Sequence, residues 1–552
     1  MRILGKMTVW GNTVPGKAGR GTMRRVWLVP SVVALGVMLG SQPIRAEALI
    51  DAFTQSLAES AGANEAVATY YRTAGYVTLW TGEQDVARRQ ALLQALDAAA
   101  LHGLPVARYD STALRAQFAA AVTQGDRGRL EVAMTTAYLQ YARDLSSGVL
   151  EPSKIDAGIK REIIRPDPAM LLARAGRDDF AVFLTTLAPH APEYARLMKE
   201  KFALEARIAA GGFGVAISGN SYGPGDSGPG VVQLRDRLIA IGYLTRSFAQ
   251  DYDADIQAAV QKFQIDNGIV ADGAAGEGTI AALNAEPQDR LKSVVVAMER
   301  LRWMGNAPLG KRHIWVNQPD FVAQVVDDGK VTFQTRVVIG KVGADTQSPE
   351  FSDQMEFMVV NPTWSVPRSI VTKEYLPMMK RNPNAQGQLQ VIDSAGRVVP
   401  RSSVNFAAYN EHNFPYALRQ PPSDGNALGQ VKFMFPNPYN IYLHDTPSKS
   451  LFAKEVRAFS HGCIRVGAPF DLAYALLAPQ TDDPKGTFKT ALVGGRENVV
   501  NFDVPIPVHL VYFTAWPNAK GVISYKRDIY GRDALIFEAL TGAGVVLPGV
   551  QS

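Results

Sequence analysis

The residues best suited to chemistry lie close together, because the chain's single cysteine, Cys463, follows two of its seven histidines, His444 and His461, within 19 residues. A cysteine attacks as its thiolate, and a free thiol with a pKa of about 8.5 is mostly protonated at neutral pH. A neighbouring histidine takes that proton, and the resulting imidazolium holds the thiolate as an ion pair. The pattern therefore predicts acyl transfer through sulfur.

The residues around the thiol suggest how the other groups are arranged. Gly462 permits close backbone approach, so its N–H and that of Cys463 are candidate donors to an oxyanion. If residues 461–463 form a strand, His461 and Cys463 point to the same face. Asp445 follows His444 directly, and adjacent strand residues point to opposite faces, so a Cys-His-Asp triad is not expected. Spacing alone does not decide which histidine is the base.

Composition excludes several other classes of protein. One cysteine allows no internal disulfide, no cysteine-rich metal site and no CxxC redox motif, and we expect no metal and no organic cofactor. With 47% hydrophobic and 20% charged residues the chain is typical of globular proteins. Its 552 residues predict three or four folded units at about 100–200 residues each.

Residues 1–46 have the pattern of a secretory signal peptide. Met23 precedes two arginines and a short apolar run over 26–40, and small residues follow at Ala46 and Ala48. The segment holds seven basic residues and no acid; without it, 50 basic residues remain against 52 acidic ones. The mature chain would then lack the basic excess that nucleic acids require. We expect cleavage of residues 1–46, with Met23 as an alternative start, and a periplasmic protein without a membrane span.

The rest of the chain predicts a multidomain α+β protein. Helical periodicity dominates the first half, and alternating or β-branched runs dominate from about residue 290. We predict, in order, an α-helical scaffold domain over 49–210, a Gly-rich linker over 211–230, a three-helix module over 231–286, a β-rich catalytic domain over 290–520 and a tail over 521–552. Residues of about 368–430 interrupt the strand pattern and predict an insertion that covers a site as a lid.

Two motifs resemble known families. The string VVQLRDRLIAIGYL, continued by YDADIQAAVQKFQIDNGIVADGAAGEGTIAALN, is similar to the peptidoglycan-binding domain type 1. His444, followed after a gap by Ser460-His461-Gly462-Cys463, resembles the signature of L,D-transpeptidases, the cysteine enzymes of peptidoglycan cross-linking. Residues 361–367, 426–429 and 442–447 are also similar to the large Gram-negative members, as is the order of the domains.

The resemblance implies roles for particular residues. Cys463 is the nucleophile, and His444 is the general base, oriented by a backbone carbonyl. His461, Gly462 and Ser460 orient groups or donate near the oxyanion. The remaining candidates, for contact with substrate, are Arg465, Tyr442 and Trp364. For Arg465, an acidic-substrate contact and a structural ion pair stay equally open.

The resemblance also implies the reaction. The donor is a tetrapeptide stem, Cys463 attacks the carbonyl of its third residue with release of D-Ala, and the acyl group passes to an amine to form a 3→3 cross-link. The expected partners are peptidoglycan stem peptides and glycan, together with other cell-wall synthesis enzymes. Such enzymes react covalently with carbapenems.

Alternatives from other classes stay open. A cell-wall carboxypeptidase or endopeptidase would use the same thiol and imidazole with water as acceptor. A sortase would use Cys, His and Arg, although its histidine is spaced much further from the cysteine. A non-catalytic peptidoglycan-binding scaffold would keep the module and not need Cys463. The sequence does not separate cross-linking from attachment of proteins to the wall or from D-amino-acid exchange.

Overall fold

A computed structural model describes residues 51–343 and 345–550, and the predicted signal peptide lies outside them. The N-terminal region is helical, as predicted. Its helices are α1 Ala52–Ala61, α2 Glu65–Thr73, α3 Val86–Asp97, α4 Ser111–Ala120, α5 Gln124–Ser147, α6 Pro152–Ile155, α7 Pro168–Ala175, α8 Phe180–Thr185 and α9 Pro192–Ala209. Polar caps start several of them: the Asp51 side chain accepts from the Thr54 N–H, and Thr123 forms a capping box with Asp126.

The peptidoglycan-binding resemblance corresponds to a compact helical module. Its helices are α10 Pro229–Ala240, α11 Ala254–Asn267 and α12 Glu277–Leu283. They enclose a core of their own that includes Leu234, Ile256 and Phe263. Part of the predicted linker belongs to this module, because Tyr222 forms a β-bridge with Ala275.

The remaining helices are α13 Pro287–Met304, α14 Arg368–Ile370, α15 Leu376–Arg381, α16 Pro469–Leu477, α17 Pro484–Leu492 and α18 Arg532–Gly542. Helix α13 crosses the start predicted for the β-rich domain at residue 290, so the first strand begins only at Arg312. Its residues Val294, Val295 and Met298 are fully buried within the core of the helical region. The α-helical scaffold and the β-rich domain are therefore joined by a helix that belongs to both.

The β-rich domain is built on a closed sheet. In chain order the strands are β1 Arg312–Asn317, β2 Val322–Asp327, β3 Lys330–Gly340, β4 Phe351–Val360, β5 Trp364–Ser365, β6 Gln390–Ile392, β7 Val398–Val399, β8 Ala417–Gln420, β9 Val431–Met434, β10 Leu443–His444, β11 Ala458–Ser460, β12 Ile464–Val466, β13 Asn498–Val511, β14 Ala515–Pro517 and β15 Ile523–Tyr525. The main sheet runs β11-β3-β12-β10-β9-β4-β13-β1-β2. It closes into a barrel through pairing of β2 with β3. A tight turn joins β2 to β3, with positive φ at Asp328 (47°) and Gly329 (76°), as the Asp-Gly pair favours.

The insertion is a small subdomain rather than a loop. Four of its strands form a separate sheet in the order β5-β8-β6-β7. Its own core contains Leu376, Met379, Phe406 and Phe414, all at most 2% exposed. A π-helical turn, Val371–Tyr375, joins α14 to α15 on the side of the thiol.

The predicted tail is folded into the domain. A buried ionic network joins helix α13 to the start of β4 and to α18: Arg300 pairs with Glu350 and, at 3.0 Å, with Asp533. Arg532 pairs with Glu350 at 3.2 Å and with Asp156, beside helix α6, at 3.4 Å. The network therefore connects the scaffold, the barrel and the C-terminal helix.

The predicted fold class is confirmed: a helical N-terminal region precedes a helical module and a β-rich domain. Across residues 51–343 and 345–550, no helix combines the length and apolarity needed to cross a bilayer.

Replacing Arg300 with methionine should lower the free energy of unfolding by about 3–5 kcal/mol, because buried Asp533 would lose its salt-bridge partner and buried Glu350 would keep only Arg532. The matched control is Arg397→Met, which removes an arginine with 80% side-chain exposure from a pair with Asp393 and should cost under about 1 kcal/mol. Urea denaturation followed by circular dichroism measures both. Equal losses in the two variants would contradict a stabilising role for the network.

Candidate active site

Three adjacent strands carry the candidate site. Strand β10 pairs in parallel with β12, so that His444 lies opposite Arg465 and Leu443 opposite Ile464. Leu443 and Ile464 are fully buried in the barrel core. Since side chains alternate along a strand, His444 and Arg465 lie on the opposite face. Cys463 lies in the bend just before β12, and its Sγ is 3.5 Å from the Asn440 carbonyl oxygen, in the segment that leads into β10.

The loop that presents the thiol is held by hydrogen bonds from several elements. The Ser460 hydroxyl donates to the Cys463 carbonyl at 2.5 Å and accepts the Gly462 N–H at 3.2 Å. The Ser348 hydroxyl donates to the Gly462 carbonyl at 2.6 Å. Tyr530, from the predicted tail, accepts from the Ser348 N–H at 3.2 Å. The position of the sulfur thus depends on the barrel and on the C-terminal segment.

The structure changes two predictions about this loop. Residues 461–463 form a bend between β11 and β12 rather than a strand, with φ of +116° at Gly462. The same-face argument for His461 and Cys463 is therefore wrong. The Gly462 N–H is already bonded to Ser460, which removes it as a free oxyanion donor. Within the described ranges, the Cys463 N–H has no protein acceptor.

A backbone carbonyl orients the His444 ring. Its Nδ1 lies 2.5 Å from the Asp445 carbonyl oxygen, which makes Nδ1 the donor and leaves Nε2 as the proton acceptor. The Asp445 carboxylate is engaged elsewhere, accepting the Gln430 N–H at 2.9 Å and the Thr446 N–H at 2.6 Å. The exclusion of a Cys-His-Asp triad agrees with this geometry.

The electrostatics of the site favour a neutral thiol beside a neutral imidazole. Burial and then the Arg465 charge lower the pKa of His444 to about 3, although its bond to the Asp445 carbonyl opposes the shift. Loss of water raises the pKa of the half-buried Cys463 thiol to about 11, and the nearby Tyr442, Arg465 and Lys432 oppose that rise. Burial thus disfavours the thiolate–imidazolium pair expected from the sequence, and the charges of Arg465 and Lys432 further disfavour the imidazolium.

Those two cations have no carboxylate partner in the part of the chain that the structure describes. Lys432 on β9 lies opposite His444 across the strand pair, and burial lowers its pKa. Burial also lowers the pKa of Arg465, whose Nε is buried without an acceptor. A structural ion pair for Arg465, one of the two roles left open by the sequence, is not formed.

His461 points to the insertion rather than to the thiol. Its Nε2 lies 2.7 Å from a carboxylate oxygen of Glu374 in the π-helical turn, and the Lys341 ammonium lies 3.4 Å from the same nitrogen. His461 and Glu374 thus form a contact between the cysteine loop and the insertion.

Tyr442 and Trp364 form a wall of the site. The Tyr442 ring lies 5.6 Å from the His444 ring and packs against both the barrel core and the insertion core. Burial raises the pKa of Tyr442, and the adjacent Cys463 adds to the rise. Trp364 is 9% exposed and stands edge-on to Tyr375 of the insertion, with ring centres 6.4 Å apart.

Four residues around the site were missed from the sequence: Lys432, Glu374, Ser348 and Tyr530. Lys432 was detectable in principle, because it is the polar member of the alternating run Val431–Met434. The other three are far in sequence from the residues they contact: Glu374 is 87 residues from His461, and Ser348 is 182 residues from Tyr530. No local pattern marks such contacts.

Three family models match separate parts of the chain. They are the L,D-transpeptidase catalytic domain over 311–494, the "putative peptidoglycan binding domain" over 227–283 and the scaffold domain over 65–200. These matches confirm the resemblance drawn from the sequence. The match to the catalytic-domain model begins one residue before strand β1.

A protein of Haemophilus influenzae described as a putative L,D-transpeptidase is 35% identical over 227 residues, which are 40% of this chain and 45% of that protein. The chain thus spans less than half of that relative. Solved L,D-transpeptidase structures from Xylanimonas cellulosilytica and Stackebrandtia nassauensis are each 16% identical, with TM-scores of 0.16 and 0.22. They cover 53% and 54% of this chain, and 98% and 96% of their own chains. TM-scores this low do not establish a shared fold.

Alkylation of Cys463 by iodoacetamide should accelerate about tenfold per pH unit from about pH 6 to about pH 9 without a plateau, since its pKa lies near 11. Arg465→Gln should slow the reaction at every pH, because the Arg465 charge lowers the thiol pKa. Arg381→Gln, an exposed arginine of the insertion, is the matched control. Mass spectrometry of the single cysteine measures the rate. A rate that stays constant above about pH 7 would instead indicate a preformed thiolate.

Proposed function

We propose that this chain is a peptidoglycan L,D-transpeptidase that acts outside the cytoplasm and joins stem peptides through a Cys463 thioester. The observation that supports the proposal is the β10–β12 register, which pairs His444 with Arg465, two residues after the single thiol, while the Asp445 carbonyl leaves Nε2 of His444 as the proton acceptor. The matches to catalytic and peptidoglycan-binding family models support the substrate class. No step requires a cofactor.

The first half-reaction forms the acyl-enzyme. Cys463 Sγ attacks the carbonyl carbon of the third stem residue while His444 Nε2 takes the thiol proton. The Cys463 N–H, which has no acceptor in the described structure, stabilises the oxyanion. The carbon–nitrogen bond to D-Ala then breaks, and His444 returns the proton to the leaving amine.

The second half-reaction transfers the acyl group to an amine. The side-chain amine of a diamino acid on a second stem attacks the thioester carbonyl, and His444 takes its proton. The carbon–sulfur bond breaks, and the proton passes to the sulfur. The new amide is the 3→3 cross-link.

The unpartnered cations have a role in both steps. As the thiol loses its proton, Arg465 and Lys432 stabilise the developing thiolate, since both charges lower its pKa. The absence of a carboxylate within pairing distance of Arg465 in residues 51–343 and 345–550 favours a contact with a substrate carboxylate. Tyr442 and Trp364 bound the pocket that receives the stem.

Cys463→Ala should abolish formation of a covalent adduct with a soluble tetrapeptide, because the nucleophile is lost while only a small side chain is removed. Acid quenching and intact-mass spectrometry of the native chain should show the tripeptide acyl group on Cys463. The mutant should keep the native circular dichroism spectrum. An adduct in the alanine variant, or one on another residue, would contradict the proposal.

The two histidines should differ in their effect. His444→Ala should slow acylation by roughly 10²–10⁴, the usual effect of losing a general base. His461→Ala should slow it less, because His461 bonds Glu374 rather than the thiol. Stopped-flow measurement of D-Ala release compares them. A larger loss in the folded His461 variant would reverse the two roles.

The insertion should control the choice between amine and water. A transferase must exclude water from its thioester, and the His461–Glu374 contact joins the insertion to the cysteine loop. Glu374→Ala should therefore raise the ratio of hydrolysed tripeptide to cross-linked dimer. Glu411→Ala, an exposed carboxylate of the insertion paired only with His412, is the matched control. An unchanged ratio in Glu374→Ala would show that this contact does not gate the acceptor.

A further inference from the structure

A second concave site lies between the helical module and the barrel. Its cavity has a volume of about 260 Å³ and is open to solvent on one side. The module contributes the ends of α11 and α12, and helix α13 contributes Arg290. The barrel side contributes Asp320 and Phe321, together with segments around Glu455 and Lys526. The catalytic residues described above do not line it.

Arg290 is the unusual member of this lining. It is 9% exposed, and in the described part of the chain its guanidinium has neither a salt bridge nor a side-chain hydrogen bond, with Nε fully buried and unpaired. Its planar group lies over two aromatic rings, 5.0 Å from the centre of Phe213 and 5.1 Å from that of Tyr525. Such contacts with aromatic rings use no N–H donor of the guanidinium, so its N–H groups stay available to a planar anion.

The other charges of the cavity are already balanced. Lys526 pairs with Asp320 at 2.9 Å, and Arg527 pairs with Glu455 at 3.0 Å. Glu200, which faces Arg290 from the scaffold side, accepts the Tyr525 hydroxyl at 2.7 Å and forms no salt bridge with the guanidinium. Within the lining, Arg290 is therefore the one charged side chain without a salt-bridge partner in the described structure, and the nearby Glu200 offsets part of its charge, which suits a monoanion rather than a dianion.

We propose that this cavity binds a carboxylate of a peptidoglycan stem peptide, with the Arg290 edge donating two parallel hydrogen bonds to it. The identification of the ligand as a stem peptide rests on the proposed function. Ile269, Ala281 and Ala282 line the same cavity and offer an apolar wall to small aliphatic side chains. A single positive charge beside an apolar wall fits an amino-acid carboxylate better than a phosphate dianion.

Part of the cavity that contains Arg290 lies close in sequence to the loop that carries Cys463. Glu455 and Val456 line the cavity and come just before β11, which leads into the cysteine loop. The module is also fixed here to the β14–β15 sheet, which follows barrel strand β13, because the Tyr525 N–H donates to the Asn267 side chain at 3.1 Å. A stem bound at Arg290 is therefore held at a fixed position relative to Cys463, and the module and catalytic domain bind peptidoglycan as one surface.

The test is isothermal titration of a soluble tetrapeptide stem into the full chain carrying Cys463→Ala, which cannot turn over the ligand. Adding Arg290→Gln should weaken one class of binding sites by roughly 10- to 100-fold, the effect of losing hydrogen bonds to a charged group. Adding Arg246→Gln, an exposed arginine of the module, should leave the isotherm unchanged. A second variant, Ala281→Leu, narrows the cavity from its exposed rim and keeps Arg290, and it should weaken the same sites.

Isotherms of Arg290→Gln and Ala281→Leu that match the parent would overturn the inference. If the thermal melt shows that Arg290→Gln does not fold, the Ala281→Leu isotherm alone is used: weaker binding supports the inference, and unchanged binding overturns it. Because the Cys463→Ala background removes catalysis, a failure here leaves acyl transfer by the native chain intact. A native chain that forms no thioester, with Arg290-dependent binding still present, would instead refute the proposed function alone.

Discussion

The parallel pairing of β10 with β12 is the contact on which the site depends. Its register buries Leu443 and Ile464 in the barrel core and turns His444 and Arg465 to the other face, with Cys463 in the bend just before β12. A shift of one residue would bury the reactive side chains and expose the apolar ones, so core packing protects the catalytic alignment. Since β3 and β9 flank these two strands, the closed barrel fixes the register from both sides.

That alignment determines the electrostatics. Strand β9 adds Lys432 beside His444, so two cations lie close to a buried imidazole and a half-buried thiol. These cations disfavour the imidazolium form of His444 and favour the thiolate form of Cys463. We therefore expect the proton to pass from Cys463 to His444 during the attack on the substrate, not before it. The same unpartnered charges attract carboxylates, which are abundant in stem peptides. The insertion contacts the cysteine loop through Glu374 and His461.

Local patterns predicted most of the elements but not the contacts between distant ones. The strand Ile464–Val466 and the turn at Asp328-Gly329 follow from alternation and turn chemistry, and the structure has both. The bend at Gly462 and the partner of His461 depend on residues far away in the chain, so the sequence suggested a strand and a shared face instead. Tyr530 could not be predicted for the same reason. It lies in a C-terminal segment without a motif, yet its hydroxyl bonds Ser348 and Gly340, which support the cysteine loop.

The most direct test of acyl transfer to an amine is mass analysis of the products formed from a purified disaccharide tetrapeptide. We expect a dimer whose mass equals twice the substrate mass minus the mass of one D-Ala. In this dimer the tripeptide of the donor is linked to the diamino acid of the acceptor. Its fragment ions should place the new bond between third residues. Tripeptide monomer alone, with no dimer at any substrate concentration, would contradict the assignment and identify the chain as a hydrolase.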